Sequence, residues 1–139
     1  MENSKRNFIN LAVVTNKKGE VLVVKRKKPE EGRGGKVLTW AFPGGRIKEN
    51  ESRAECISRE VLAETGYQVT SIKEVSLRFH PDLPVIVVYH LCTLISPQPV
   101  SQPSEPWEIE EVKWVKPEEL KNLFTTSLDP KVAQELKVV

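Results

Sequence analysis

The sequence predicts an α/β protein, a sandwich of helices around a mixed β-sheet, folded as one domain over residues 1–139. Runs rich in β-branched residues are interspersed with helical stretches, and turn signals between neighbouring runs indicate frequent hairpins. The chain contains no internal repeat and no low-complexity tract. Because parallel strands need long crossovers whereas hairpins join antiparallel strands, this pattern favours a mixed sheet over a doubly wound parallel one.

The composition is that of an ordinary globular protein, with 39% hydrophobic and 29% charged residues and a net charge of +2. A charge this small gives no reason to expect binding to nucleic acid or to a membrane surface. No stretch approaches the roughly 18 apolar residues of a membrane span. Cys56 and Cys92 lie in apolar segments and are expected to be buried free thiols. We therefore expect a cytoplasmic protein, and its oligomeric state, monomer or homodimer, stays open.

The first third of the chain predicts strands joined by turns. Phe8–Val14 and Val21–Lys25 are β-rich, and Asn16–Gly19 between them is typical of a hairpin turn. Further along come a flexible loop over Pro29–Lys36, a strand over Val37–Phe42 and a break at Pro43-Gly44-Gly45.

The clearest helix covers Ser52–Thr65. Ser52 and Glu55 have the spacing of a capping box, in which each side chain satisfies a free backbone N–H, and Gly66 suits a left-handed end. At 100° per residue one face collects the side chains that we expect to pack on the sheet. They are Ala54, Ile57, Ser58, Val61, Leu62 and Thr65.

The second half of the chain predicts more strands and a helical end. Val85–Leu94 is the strongest strand, and its nearly continuous apolar character predicts that both of its faces are covered. The other predicted elements are a strand in Gln68–Leu77, a proline-rich loop over Ser96–Pro106, a strand over Glu110–Val115, a short helix over Pro117–Phe124 and weak helix over Lys131–Val139.

The most informative stretch is Gly45–Tyr67, which resembles the Nudix box. That pattern runs Gly, five residues, Glu, seven residues, Arg-Glu-apolar, one residue, Glu-Glu, one residue, Gly-apolar, and only the first Glu of the pair is missing, replaced by Ala63. A chance match has a probability of about one in ten million per starting position. The flanking segments Trp40–Gly45 and Trp114–Leu120 also resemble the corresponding segments of family members. The matching fixed positions are Gly45, Glu51, Arg59, Glu60, Glu64 and Gly66.

The resemblance implies a Nudix-type α/β/α sandwich and a metal-dependent hydrolase that cuts a pyrophosphate linkage in a nucleoside diphosphate derivative. The expected substrate, as in MutT-like members, is a nucleoside triphosphate, including oxidised or non-standard ones, which is converted to monophosphate and pyrophosphate. The alternatives are an ADP-ribose or nucleotide-sugar pyrophosphatase, a dinucleoside polyphosphate hydrolase and an RNA 5′-end pyrophosphohydrolase. A non-hydrolytic nucleotide-binding regulatory domain is the alternative of another class, and only Ala63 favours it.

Glu60 and Glu64 carry the predicted metal chemistry. Four residues apart on a helix, they share one face, where two carboxylates repel each other unless a cation lies between them. Two glutamates four residues apart are also common on a solvated helix face. The surrounding box is what favours a metal site here. We expect Mg²⁺, with Mn²⁺ as a substitute, because hard cations prefer oxygen ligands. The resemblance adds the carbonyl of Gly44 as a further ligand, and Ala63 leaves the number of metal ions open.

Other box residues and a loop complete the predicted site. The resemblance implies that Glu51 and Arg59 form a buried ion pair, a structural role shared with Gly45 and Gly66. It also implies a further catalytic carboxylate from a loop near the last strand. Glu108 is the favoured residue for that role, and Glu105, Glu110 and Glu111 are the alternatives.

Substrate contacts are predicted from two segments. Basic residues that could bind phosphates are Arg26, Arg33, Lys36 and Lys48, although a solvated charge run has the same composition. Arg78-Phe79-His80-Pro81 resembles a segment of MutT-like members, so His80 could contact phosphate or base and Phe79 could stack on a base. A loop histidine and a core phenylalanine are the alternative. Trp40, expected in the core, and Trp107 are other stacking candidates.

Overall fold

The computed structural model describes residues 8–138, which form a mixed sheet with helices on both faces, so the predicted α/β sandwich is confirmed. The strands are β1 Phe8–Thr15, β2 Val21–Glu31, β3 Val37–Ala41, β4 Gly44–Arg46, β5 Val69–Phe79, β6 Ile86–Leu94 and β7 Ile109–Val115. The helices are α1 Arg53–Thr65, α2 Leu120–Leu123 and α3 Pro130–Glu135, with 3-10 turns at Arg33–Gly35 and Pro117–Glu119.

The sheet is organised around the parallel pair β1 and β6. Its order is β3-β2-β1-β6-β5, with β4 added to β1 and β7 to β2, and the pairings other than β1 with β6 are antiparallel. The long connection that a parallel pair requires carries α1 across one face. The consecutive residues Val87, Val88, Tyr89 and His90 are all buried, so β6 is covered on both faces, as its sequence predicted.

Successive side chains of β1 point to opposite faces of the sheet and pack into two separate hydrophobic cores, as the two-residue period of a strand requires. Ala12 and Val14 pack with Ile57 and Val61 of α1 on one face. Val13 faces the other side, in a cluster completed by residues from the C-terminal part of the chain, among them Leu120 and Val132. The C-terminal helices therefore pack on the domain itself.

The predicted hairpin turn at Asn16–Gly19 is confirmed, but the loop that follows β2 begins later than predicted. The side-chain oxygen of Asn16 accepts the N–H groups of Lys18 and Glu20 at 3.0 and 2.9 Å, and Gly19 has a φ of +77°. β2 continues to Glu31 because β3 pairs with its end, and Pro29 falls in the irregular stretch before that pairing resumes. Proline is tolerated there because no ladder N–H is needed.

Helix α1 begins with the predicted capping box at Ser52 and ends at Gly66 in the left-handed conformation. The prediction of its buried face was partly wrong, because Ala54 and Ser58 are exposed whereas Glu64 is buried. The reason is non-local: β4 covers the side of the helix that carries Glu64, in addition to the side that packs on the sheet.

The prediction for the two cysteines is confirmed. Cys56 and Cys92 are both buried and free. Within residues 8–138, no helix is both long and apolar enough to cross a membrane.

Gly66 allows the proline-rich loop to pack against the end of α1. Its φ is +81°, and a Cβ at this position would overlap the carbonyl oxygen of Ser101. Gly19 has nearly the same φ, +77°, but a Cβ added there would have no atom within 4 Å. We predict that Gly66→Ala lowers the free energy of unfolding by roughly 2–4 kcal/mol, because it combines left-handed strain with a backbone clash.

Gly19→Ala is the matched control for backbone strain alone, and we expect it to cost only about 1 kcal/mol. Urea unfolding of both variants measures the difference. Equal losses in the two variants would show that the contact with Ser101 does not matter.

Candidate functional site

The Gly44-Gly45 segment was predicted only to end β3. In the structure it forms β4, which pairs with β1 and places Gly44 opposite Leu11. Gly44 has a φ of +151°, and a Cβ there would overlap the carbonyl oxygen of Asn10. At Gly45 a Cβ would lie 2.8 Å from the carboxyl carbon of Glu60. Only glycine lets the backbone approach both β1 and α1 this closely.

Glu60 and Glu64 lie together against this glycine backbone. Glu64 is only 7% exposed, and its Oε1 accepts the N–H of Gly44 at 3.2 Å. Burial, together with the neighbouring Glu60 carboxylate, raises the pKa of Glu64 to about 9. The shared helix face predicted from their spacing therefore holds two adjacent carboxyl groups, with Glu64 buried and Glu60 half-buried. Two negative charges are unfavourable in this arrangement.

Arg59 ties the loop before α1 to this pair. Its Nε and Nη2 donate to the two carboxylate oxygens of Glu51 at 2.6 and 2.9 Å, and its Nη1 donates to Glu60 Oε1 at 2.8 Å. The N–H of Lys48 also donates to Glu51, at 2.9 Å. The Arg59 guanidinium holds the pKa of Glu51 down to about 2. The ion pair implied by the box is thus present, and it orients Glu60 through a shared arginine.

The proline-rich loop brings Glu105 and Glu108 to the same region. The N–H of Ser104 donates to the carbonyl of Ala63 at 2.9 Å, which fastens the loop to α1. The carboxyl groups of Glu105 and Glu108 are hydrogen-bonded, and partial burial together with this partner raises the pKa of Glu108, with a smaller effect from Glu60. The favoured Glu108 therefore lies near Glu60, and Glu105 accompanies it.

The two other carboxylate candidates occupy β7 and are engaged elsewhere or exposed. Glu110 pairs with Lys25 at 3.0 Å, and Glu111 is exposed opposite Lys25 in the β2–β7 ladder. Neither has a contact with Glu60 or Glu64 among those found in residues 8–138.

The donor chemistry of the carboxylate pair fits a hard divalent cation. Within the described part of the chain, no three acidic, histidine or cysteine side chains converge closely enough to enclose a metal ion. Glu60 and Glu64 offer only oxygen atoms, and Mg²⁺ typically uses one or two protein carboxylates with water and phosphate oxygens. A cation would also offset the repulsion that raises the pKa of Glu64.

A cleft opens on the sheet face opposite α1. Apolar side chains of β1, β3 and β6 form its floor, and the C-terminal segment Phe124–Asp129 forms one wall. Aromatic side chains in its lining include Trp40, Phe42 and Tyr89, and its charged or ionisable groups include Arg26, Arg78, His80 and Asp129.

Arg26 connects the cleft with the carboxylate pair. It lines the cleft, and its positive charge acts on the Glu64 carboxyl to oppose the rise in its pKa. Its Nη1 lies 3.7 Å from Glu30, whereas its Nε is buried without a hydrogen-bond partner in residues 8–138. A buried, unpaired donor favours a ligand that supplies an acceptor.

Arg78 lines the cleft but is already engaged with its wall. The guanidinium donates to the Tyr89 hydroxyl at 3.1 Å and to the carbonyl of Ser127 at 2.7 Å, and it lies 3.6 Å from Asp129. Asp129 in turn caps α3 through the N–H groups of Lys131 and Val132. Sequence reasoning missed this wall, although Asp129 before Pro130 is a recognisable helix-start signal.

Several predicted substrate contacts lie elsewhere. Phe79 is 80% exposed and does not line the cleft, because strand alternation places it on the opposite side from Arg78. Trp107 is 65% exposed, outside the cleft lining, whereas Trp40, expected in the core, lines the cleft. The remaining basic candidates are Arg33 and Lys48, which are exposed, and Lys36, which pairs with buried Asp82 at 3.2 Å.

Comparison with known proteins points to one family. A family model described as NUDIX domain matches residues 7–136. A Bacillus subtilis protein with the provisional name 8-oxo-dGTP diphosphatase is 35% identical over 69 residues, which cover 50% of this chain but only 41% of that protein. The 8-oxo-dGTP diphosphatase of Proteus vulgaris is 27% identical over 95 residues, covering 67% and 81%.

The similarity extends to the three-dimensional fold. The solved structure of a NUDIX hydrolase from Nitrosomonas europaea superposes with a TM-score of 0.66 at 21% identity, covering 96% of this chain and 87% of that one. At this identity the likeness concerns the fold alone.

The Glu51–Arg59 pair makes stability depend on pH. The pKa of Glu51 is about 2 in the folded protein, against an ordinary value of 4.5, so its stabilisation is complete above 4.5 and is lost as pH falls toward 2. We predict that Glu51→Gln lowers the free energy of unfolding by roughly 2–3 kcal/mol at pH 7 and by progressively less below pH 4.5. Urea unfolding between pH 7 and pH 3.5 measures this.

The exposed Glu49, in the same loop, supplies the control variant Glu49→Gln, which should change stability little at any of these pH values. A loss in Glu51→Gln that stays constant with pH would contradict the ion-pair account.

Proposed function

This chain belongs to the NUDIX domain family, and on that premise we propose that it is a pyrophosphohydrolase acting on a nucleoside triphosphate, including oxidised or non-standard ones. The products are the nucleoside monophosphate and pyrophosphate. The names of the Bacillus subtilis and Proteus vulgaris relatives support this substrate class. We propose further that one domain suffices for the activity, and that the protein works in the cytoplasm, where buried free thiols stay reduced.

The observation that carries the proposal is the position of Arg26 between two sites of different chemistry. On one side lies a largely apolar cleft with aromatic side chains, suited to a nucleobase. On the other lies the Glu60–Glu64 pair, suited to a cation and phosphates. A triphosphate joins the same two chemistries, and the guanidinium of Arg26 can pair with phosphate oxygens between them.

We propose Mg²⁺, replaceable by Mn²⁺, as the cofactor, with Glu60, Glu64 and the carbonyl of Gly44 as its protein ligands. When bound, the cation neutralises phosphate charge and activates water for attack on phosphorus. Ala63 supplies no ligand, so water and phosphate oxygens complete the shell. Arg59 and Glu51 position Glu60 through their hydrogen bonds and remain clear of the substrate.

In the proposed reaction, the oxygen of one water forms a bond to phosphorus as the bridging phosphoanhydride bond breaks. The bridging oxygen leaves with the pyrophosphate or monophosphate half, and a carboxylate takes the proton from the attacking water. Glu108 is the residue that we propose for this proton transfer, because its pKa is raised and it lies near Glu60. Lys48 is exposed on the neighbouring loop and could contact the outer phosphate.

The test is product release, with Mg²⁺ present, across a panel of common and oxidised nucleoside triphosphates, ADP-ribose, nucleotide sugars and diadenosine polyphosphates. We predict pyrophosphate and monophosphate from at least one triphosphate. Glu64→Gln, which keeps the shape and can still accept the Gly44 N–H, should lower kcat by at least about 100-fold. Glu49→Gln should retain full activity.

Other outcomes separate the alternatives. Two monophosphates from ADP-ribose or a nucleotide sugar would keep the family and overturn the triphosphate. Nucleotide binding with no hydrolysis anywhere in the panel would favour the non-hydrolytic regulatory domain, and Ala63→Glu would then be the variant to test for a gain of activity.

A further inference from the structure

The imidazole of His80 is held in one protonation form by its own loop. Its Nδ1 accepts two backbone N–H groups, from Asp82 at 2.9 Å and from Leu83 at 3.1 Å. A ring nitrogen that accepts hydrogen bonds carries a lone pair, so the proton of the neutral ring lies on Nε2. Burial also lowers the pKa of His80, which keeps the ring neutral at pH 7.

The loop that supplies these two N–H groups is itself fixed. The N–H of His80 donates to Val85 at 2.9 Å, and the carbonyl of Asp82 accepts the N–H of Arg33 at 3.0 Å. The buried Asp82 carboxylate pairs with Lys36 at 3.2 Å and accepts the hydroxyl of Thr126 at 2.9 Å. Because flipping the ring would break both bonds to Nδ1, the position of Nε2 is fixed as well.

Nε2 has no hydrogen-bond partner among the residues that the structure describes, and His80 lines the cleft. Other side chains of the cleft offer few acceptors. The Tyr89 hydroxyl oxygen accepts from Arg78, and the Thr126 hydroxyl donates to Asp82. Arg26 Nε–H is a second unpaired donor. The carboxylate oxygens of Asp129 are already occupied by the hydroxyl of Ser76 and the N–H groups of Lys131 and Val132. Within the described residues, His80 and Arg26 therefore each keep an unpaired donor at this cleft.

We propose that the cleft selects a nucleobase with a carbonyl at C6 of a purine or C4 of a pyrimidine, and that His80 is the specificity-determining residue, donating from Nε2 to that carbonyl oxygen. The inference rests on the proposed function, since it names the base of the same substrate. Guanine, hypoxanthine and uracil present such an oxygen. An amino group at the same position would place a donor opposite the Nε2–H donor of His80. Neither group would then have a hydrogen-bond partner.

The experiment compares kcat/KM for substrate pairs that exchange the carbonyl for an amino group, ITP with ATP and UTP with CTP. We expect the carbonyl member to be preferred by at least about 10-fold in the pair that fits the cleft. His80→Asn keeps an oxygen where Nδ1 accepts its two bonds but removes the distal donor. In this variant the preference should fall toward one, with kcat/KM for the amino substrate little changed.

His80→Gln is the complementary variant, because its amide N–H₂ reaches the position of Nε2 and should restore part of the preference. Thermal unfolding of both variants controls for damage to the loop. A wild type that does not discriminate within either pair, or an unchanged preference in His80→Asn, would overturn the proposal.

A ¹⁵N NMR titration of the wild type with inosine monophosphate and adenosine monophosphate tests the inference without turnover or substitution. We expect the His80 Nε2–H signal to shift with the inosine ligand and much less with the adenosine ligand. If no triphosphate is hydrolysed, the proposed activity is wrong. The titration still measures whether the protein distinguishes the two bases. A proton on Nδ1, or equal shifts with both ligands, would overturn the inference.

Discussion

The close approach of the Gly44-Gly45 backbone to helix α1 is the contact on which the rest of the site depends. It places the Gly44 N–H on Glu64 and leaves no room for a side chain between Gly45 and Glu60. The approach buries the Glu64 carboxyl beside the half-buried carboxyl of Glu60, an arrangement that is unfavourable for the folded protein alone. An arrangement that lowers the stability of the protein alone, and that a bound ligand would stabilise, is typical of a functional site.

Strand β1 connects this contact with the cleft. Its edge receives β4 at Leu11, while Ile9 and Leu11 also form part of the cleft floor. Because β1 is locked in parallel register with β6 along its whole length, the carboxylate pair and the cleft hold a fixed separation. Arg26 on β2 lines the cleft and acts on Glu64, so in the proposed function one rigid sheet positions both ends of the nucleotide.

Local signals in the sequence were reliable where neighbours in the chain decide the structure. The capping box at Ser52, the left-handed Gly66 and the buried strand β6 were all predicted, since each depends on a few adjacent residues. What could not be predicted depends on distant contacts. The burial of Glu64 requires β4, the extension of β2 requires β3, and the cleft wall requires Arg78 to meet Asp129 from a distant part of the sequence.

The most direct test of the central claim is thermal unfolding of the wild type and Glu64→Gln, each with EDTA and with Mg²⁺. Buried carboxyl repulsion predicts that Glu64→Gln is at least as stable as the wild type in EDTA, and that Mg²⁺ raises the Tm of the wild type only. A variant that is clearly less stable in EDTA, or a Tm that rises equally with Mg²⁺ in both proteins, would contradict the account of Glu60 and Glu64 as a pair completed by a cation.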